Sequence, residues 1–148
     1  MISRPVGTPI QRIYTADPDS PVHKIVINHN SSDSLRALPQ HGISGEMASP
    51  GSPRARDAGL ERRFVEHLRR LGLVRPDDPL LEVSSMDVPY GYPVPTRNRA
   101  AIVSRLKDWF EGAGITTVGR FAEWAYINSD EAMHRGWIAG SALREAVA

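Results

Sequence analysis

The chain has 148 residues, 24% charged and 41% hydrophobic, with a formal net charge of +1 from 18 basic and 17 acidic side chains. That is the composition of an ordinary globular domain with a modest core, and the charge balance gives no global reason to expect nucleic acid or a membrane as partner. There is no cysteine, which excludes disulfides, thiolate metal sites and cysteine nucleophiles. No stretch approaches the roughly 20 apolar residues of a membrane span, and residues 1–7 hold no apolar run long enough for a signal peptide. A cytoplasmic protein is expected.

Residues 1–48 read as short strands and turns. Residues 24–28 (KIVIN) are a β-branched run suited to a buried strand, preceded by turn chemistry at residues 17–21 (DPDSP), and residues 43–47 (ISGEM) are a weaker strand. Strands without nearby helices point to antiparallel pairing. Residues 48–58 are rich in small residues, Pro and Arg and read as a linker. Leu60, Phe64, Leu68 and Leu71 then recur at helical spacing, so residues 59–73 are expected to be a helix with one apolar stripe. Its other face carries Arg62, Arg63, Glu66, Arg69 and Arg70, which is a solvated surface or a phosphate-binding face, the first being the simpler reading. Residues 80–84 (LLEVS) read as another strand. Three prolines within residues 88–96 then exclude a helix or a central strand.

A second helix is expected over residues 98–111, burying Ile102, Leu106, Trp109 and Phe110 and ended by Gly112 and Gly114. Residues 115–118 (ITTV) follow as a short buried strand. The last helix starts near Ser129, with Asn128 or Ser129 as cap and Asp130 and Glu131 in its first turn. Gly136 and Gly140 lie one turn apart on it, which suggests something packed very close to that face. The class these elements define is α+β: a small antiparallel sheet, a Pro-rich crossing and three helices. The division expected is 1–88 and 89–148.

The chemistry concentrates between the 115–118 strand and the last helix. Gly119 lets a ligand approach the backbone, Arg120 offers a planar set of donors suited to phosphate, and Trp124 and Tyr126 point the same way if the chain is extended. A helix N-terminus near Ser129 adds free N–H groups and partial positive charge. Read from physics alone, this corner is either a site for a flat, phosphate-bearing anion or an aromatic corner with a surface arginine.

The order Gly119-Arg120, an aromatic at 124, Tyr126, Asn128 and Asp130, then a helix, resembles the C-terminal FAD motif of the UDP-galactopyranose mutases and their amine-oxidase-like relatives. Tyr92, Pro93, Val94 and Asn98 resemble the segment preceding that motif. Arg12-Ile13-Tyr14 and His23-Lys24-Ile25 resemble, less closely, the sheet of the substrate domain. The resemblance implies that Gly119 lies against the flavin's phosphate or ribityl chain. It implies that Arg120 faces the flavin or a substrate diphosphate, and that Tyr126, with Tyr92, binds a phosphate-bearing substrate. Trp124 stands where a tyrosine is usual and Asn128 where an aspartate is, while Ser129 and Asp130 would sit near the ribityl chain and the flavin C2 carbonyl.

The same relatives carry a strand–Gly-x-Gly-x-x-Gly–helix unit for the FAD pyrophosphate, and this sequence has none. The resemblance therefore implies that the chain alone does not hold FAD tightly. It would be one subunit of a split flavoprotein, partnered by a second chain carrying the dinucleotide-binding half. Alternatively it is a reshaped, non-catalytic relative acting as a binding or interaction module, or a homo-oligomer. Other chemistry is thin. His23, His29, His41, His67 and His134 show no metal-ligand spacing, no serine sits in a nucleophile elbow, and Glu46 and Asp87 are candidate catalytic acids that nothing singles out.

Overall fold

The computed structural model describes residues 1–48 and 59–147. Apart from Ala48, the linker expected at 48–58 lies outside them. By internal contacts the chain divides into two units, Met1–Pro89 and Tyr90–Ala148.

The first unit is built on three antiparallel strands, β1 (Arg12–Tyr14), β2 (Lys24–Ile27) and β3 (Ile43–Glu46), with β2 in the centre. The turn before β2 forms as its composition dictates: the Asp19 N–H donates to Asp17 Oδ1 at 2.9 Å and the Ser20 N–H to the Asp17 carbonyl at 3.1 Å. Along β2 the side chains alternate, and Ile25 and Ile27 are completely buried. A 3-10 turn at Asn28–Asn30 and a single helical turn, α1 (Asp33–Arg36), lead to β3. The α1 turn is capped by Ser32, whose side chain accepts from the Leu35 N–H at 3.2 Å.

Helix α2 (Leu60–Arg70) covers the sheet. Leu68 joins Ile2, Val6, Val22, Ile25, Ile27 and Val74 in the core, with Phe64 packed against them. The expected stripe is only partly right. Leu71 is exposed, whereas Val65 and His67 are buried. The helix expected to reach residue 73 stops at Arg70, because Gly72 at φ +69° turns the chain back, so Leu73 donates to Leu68 and Gly72 to Arg69, both at 3.0 Å. The strand expected at residues 80–84 is reduced to one bridge, Leu80 with Ile2. Around it the backbone is tied to the N-terminus instead: Leu81 N–H donates to the Met1 carbonyl at 3.0 Å and the Met1 ammonium to the Glu82 carbonyl at 2.5 Å. Arg4 grips both carboxylate oxygens of Asp78, holding the Asp78 carboxyl below its ordinary range.

The second unit contains α3 (Arg99–Gly112) and α4 (Ser129–Val147), and among its described residues only Pro93 is buried. The buried face expected on α3 is not buried: Ile102 and Leu106 are each 51% exposed and Trp109 66%. The helix end is as expected, since Gly114 at φ +73° lets Ile115 donate to Phe110 at 2.9 Å. Residues 115–118 form no strand, because no strand among the described residues supplies a ladder, and Ile115 is 49% exposed. A side chain added at Gly136 or Gly140 would meet nothing within 4 Å, so the close packing expected there is absent among the described residues. No helix among the described residues is long and apolar enough to cross a membrane.

Gly45 locks the first unit together. A Cβ there would lie 2.5 Å from Phe64 Cε2 and 2.9 Å from Val22 Cγ1, so the ring of α2 occupies the space a side chain on β3 would need. Gly45→Ala is expected to cost about 1–3 kcal/mol through overpacking. In a Phe64→Leu background, which removes the ring edge but leaves Val22 Cγ1, the cost should fall to a remainder set by Val22. Strictly additive free energies in a denaturant-unfolding double-mutant cycle would overturn this packing argument.

Candidate functional site

Residues 119–124 form a compact series of turns and 125–128 lead irregularly into the last helix, so the segment is not an extended strand. Gly119 has φ +102°, a backbone state that side chains rarely tolerate, and a Cβ there would meet nothing within 4 Å. The glycine is thus required by its own backbone, and the space against it is open. The next turns close through Glu123 N–H to the Gly119 carbonyl and Ala125 N–H to the Arg120 carbonyl, both at 2.9 Å. Trp124 sits at φ +44°, so it and Tyr126 are not parallel neighbours on an extended chain.

A left-handed tryptophan needs support, and three side chains supply it. The Arg99 guanidinium, from the first turn of α3, donates to the Trp124 carbonyl and, at 2.9 Å, to the Glu123 carbonyl. Trp124 Nε1 donates to the Val94 carbonyl at 3.1 Å, anchoring the Pro-rich segment. Arg135 on α4 pairs with Glu123 and, at 2.7 Å, with Glu131; these two carboxylates hold its pKa up, Glu131 the more strongly. None of Arg99, Glu123 and Arg135 was singled out by the sequence. Only the Glu131–Arg135 spacing of four left a signal.

At the centre lies Arg120. Its Nη1 donates to the Ile127 carbonyl at 2.9 Å. Its guanidinium carbon is 4.9 Å from the Tyr92 ring centroid and 4.8 Å from that of Tyr126, and the two rings stack at 5.7 Å with an interplanar angle of 22°. The other nitrogen, Nη2, is buried and has no hydrogen-bond partner. The structure therefore brings Tyr92, Arg120 and Tyr126 together. Trp124 and Gly119 belong to the scaffold of the same corner. Asn128 accepts the Ala132 N–H at 3.0 Å through its backbone carbonyl at the start of α4, while Ser129 and Asp130 are exposed in the first turn of that helix.

The first unit holds a constellation that resembles a serine–histidine pair. Ser20 Oγ is 3.0 Å from His67 Nε2, and His67 Nδ1 is 2.9 Å from Arg70 Nη2. A guanidinium only donates, so Nδ1 must accept and Nε2 must carry the proton. Burial first, then the Arg70 charge, push the His67 pKa down and keep the ring neutral. Nε2 then has no lone pair to take a proton from Ser20, whose hydroxyl is spent on the Val22 carbonyl at 2.5 Å. The pair is a structural tie, not a general-base dyad.

No protein-family description matches the chain, and no curated protein matches it. Among solved structures, it is similar to a crystal structure of reduced UDP-galactopyranose mutase, with a TM-score of 0.72 at 19% sequence identity. The match covers 84% of this chain and 27% of that one. At this identity the likeness establishes a shared fold over that stretch, and the chain spans about a quarter of its neighbour's length.

If Arg99 holds the corner, Arg99→Ala should release the Glu123 and Trp124 carbonyls and let Trp124 leave the left-handed region. Amide exchange at Glu123 and Ala125 should accelerate tenfold or more, the scale of one lost charge-assisted bond of about 1.5–3 kcal/mol. Unchanged exchange at both amides would show that the turn holds itself.

Proposed function

We propose that the second unit supplies a phosphate contact in a flavin-dependent, mutase-like protein. In this reading Arg120, flanked by Tyr92 and Tyr126, takes the phosphate of a phosphate-bearing small molecule. The observation that carries it is the buried Arg120 Nη2 without a partner. Leaving a charged donor unmatched costs at least about 1–3 kcal/mol, and a guanidinium edge between two phenol rings suits a tetrahedral oxyanion.

The residues also suit an approaching FAD. Open space lies against Gly119, and Ser129 and Asp130 stand exposed at the N-terminus of a 19-residue helix, where N–H groups without intrahelical partners favour anionic or carbonyl oxygens. Trp124 and Asn128 shape the turn between these points. The flavin, when bound, would supply the redox chemistry; the chain's own part is to bind and orient. Without a Gly-x-Gly-x-x-Gly segment here, the pyrophosphate cradle would come from a second protein chain carrying the dinucleotide-binding half.

A second reading, a non-catalytic interaction module, is favoured by one observation: Trp109 on α3 and Met133 and Trp137 on α4 are each at least 66% exposed. Both readings expect association, with a different chain or as a homo-oligomer.

Titration of the full chain with inorganic pyrophosphate separates them. Wild type should bind, Arg120→Gln should weaken binding about 10- to 100-fold, the equivalent of about 1.5–3 kcal/mol, and Arg120→Lys should recover part of it. Equal affinity in wild type and Arg120→Gln would remove the phosphate reading and leave the interaction module.

Association is testable independently. Light scattering at high concentration should show a species larger than the monomer, and Trp109→Ser with Trp137→Ser should shift it toward monomer. A wild-type monomer that binds no hydrophobic dye would defeat both readings' expectation of a partner.

A further inference from the structure

We propose that the first unit contains an acid-operated latch, in which the imidazole of His29 holds the N-terminal segment down and releases it when protonated. The latch is separate from the Arg120 corner and does not depend on its assignment.

The geometry is specific. His29 is 1% exposed and His41 is 4% exposed, and their rings meet edge to face at a centroid distance of 4.8 Å. His29 Nε2 accepts the backbone N–H of Val6 at 3.0 Å. An N–H must donate, so Nε2 carries the lone pair and Nδ1 the proton. Neither His29 Nδ1 nor His41 Nδ1 has a hydrogen-bond partner. A second proton on His29 can only go to Nε2, the atom that receives Val6. Protonation and the Val6 contact therefore exclude each other, and this exclusion makes the contact a switch rather than a generally acid-sensitive site.

The surroundings favour the neutral, latched form. His29 lies on a 3-10 turn whose other residues, Asn28 and Asn30, are uncharged. The charged or titratable groups facing it are His41 from the approach to β3 and Arg36 from α1, both of which oppose a new positive charge. Burial, the largest influence, pushes the His29 pKa below its ordinary value of 6.5; the Gly42 carbonyl, already accepting the Asn28 N–H at 3.0 Å, offsets this only in part. The sign follows. A base with a depressed pKa in the latched state stabilises that state above about pH 6.5 and ceases to do so as the pH falls through the depressed value.

What the latch holds is defined by its other contacts. Ile2 exchanges both backbone bonds with His41, at 3.0 and 2.9 Å, and also bridges Leu80. Release would free the backbone edge at His41 and uncover Ile2 and Val6, two members of the core cluster. Arg4, on the same segment, stays bound to Asp78 at pH values where the carboxylate is ionised, so it acts as a tether around which the flanking residues open.

The test is amide hydrogen exchange on the full chain between pH 7.5 and 5, corrected for intrinsic rates. Protection at Val6 and Ile2 is expected to fall by up to about tenfold per pH unit as the pH drops from about 6.5 toward the depressed His29 value, the slope of one linked proton, and to level off below it. The His23 amide, bonded to Glu46 at the far end of β2–β3, should keep its protection. In His29→Gln, whose side-chain oxygen still accepts the Val6 N–H but does not titrate, Val6 protection should become independent of pH. If that variant does not fold, the wild-type imidazole resonances decide. Protonation of His29 with Val6 still protected would overturn the latch. So would parallel loss of Val6 and His23 protection, because the event would then be global unfolding.

Discussion

The first unit depends on one strand having neighbours on both sides. β2 pairs residue by residue with β1 and β3, placing Ile25 opposite Gly45 and Ile27 opposite Ile43, and Ile25 and Ile27 are its most deeply buried side chains. Helix α2 can reach that layer only because Gly45 leaves room for Phe64. Strand order, glycine and helix face form one steric statement: a ring from the helix fills the space a strand residue declines to occupy. The N-terminal segment then closes over the assembly through Ile2 and Val6.

Polar groups tie this small core together. Asn30 is 8% exposed and spends its amide on the carbonyls of Thr8 and Ile10, at 2.6 and 2.8 Å, while its oxygen accepts from Arg36 at 2.8 Å. With His29 on Val6, one short turn anchors most of the chain that precedes β1. Buried polar groups of this kind are costly unless satisfied. Asn30 is fully used, and His67 has a partner on each ring nitrogen. His29 and His41 each keep one unsatisfied nitrogen.

The sequence was informative wherever a local rule was sufficient. The β-branched run of β2, the helix end at Gly114 and the start of α4 at Ser129 all follow from chemistry within a few residues, whereas the stop of α2 before Gly72 was missed. It was less informative where the outcome depended on a distant partner. Residues 115–118 have strand composition but no ladder among the described residues, and the apolar stripe of α3 predicts a burial that nothing described in its own unit supplies. Tyr92 and Arg120, 28 positions apart, were connected through resemblance rather than spacing. Arg99 and Glu123, which fix the corner by reaching across turns, left no periodic trace, because a side chain that caps a remote carbonyl obeys no sequence rule.

The two units handle their polar atoms by opposite means. In the first, apolar burial provides the frame and polar side chains pin it. In the second, where Pro93 alone among the described residues is buried, the frame of the corner is itself polar: Arg99 on two carbonyls, Trp124 on Val94, Arg135 between two carboxylates. Each of those guanidiniums has its partners. Arg120 stands among them with one donor met by Ile127 and another buried and unmet. The corner thus satisfies its supporting arginines and leaves the central one with a buried, unmet donor beside two tyrosine rings.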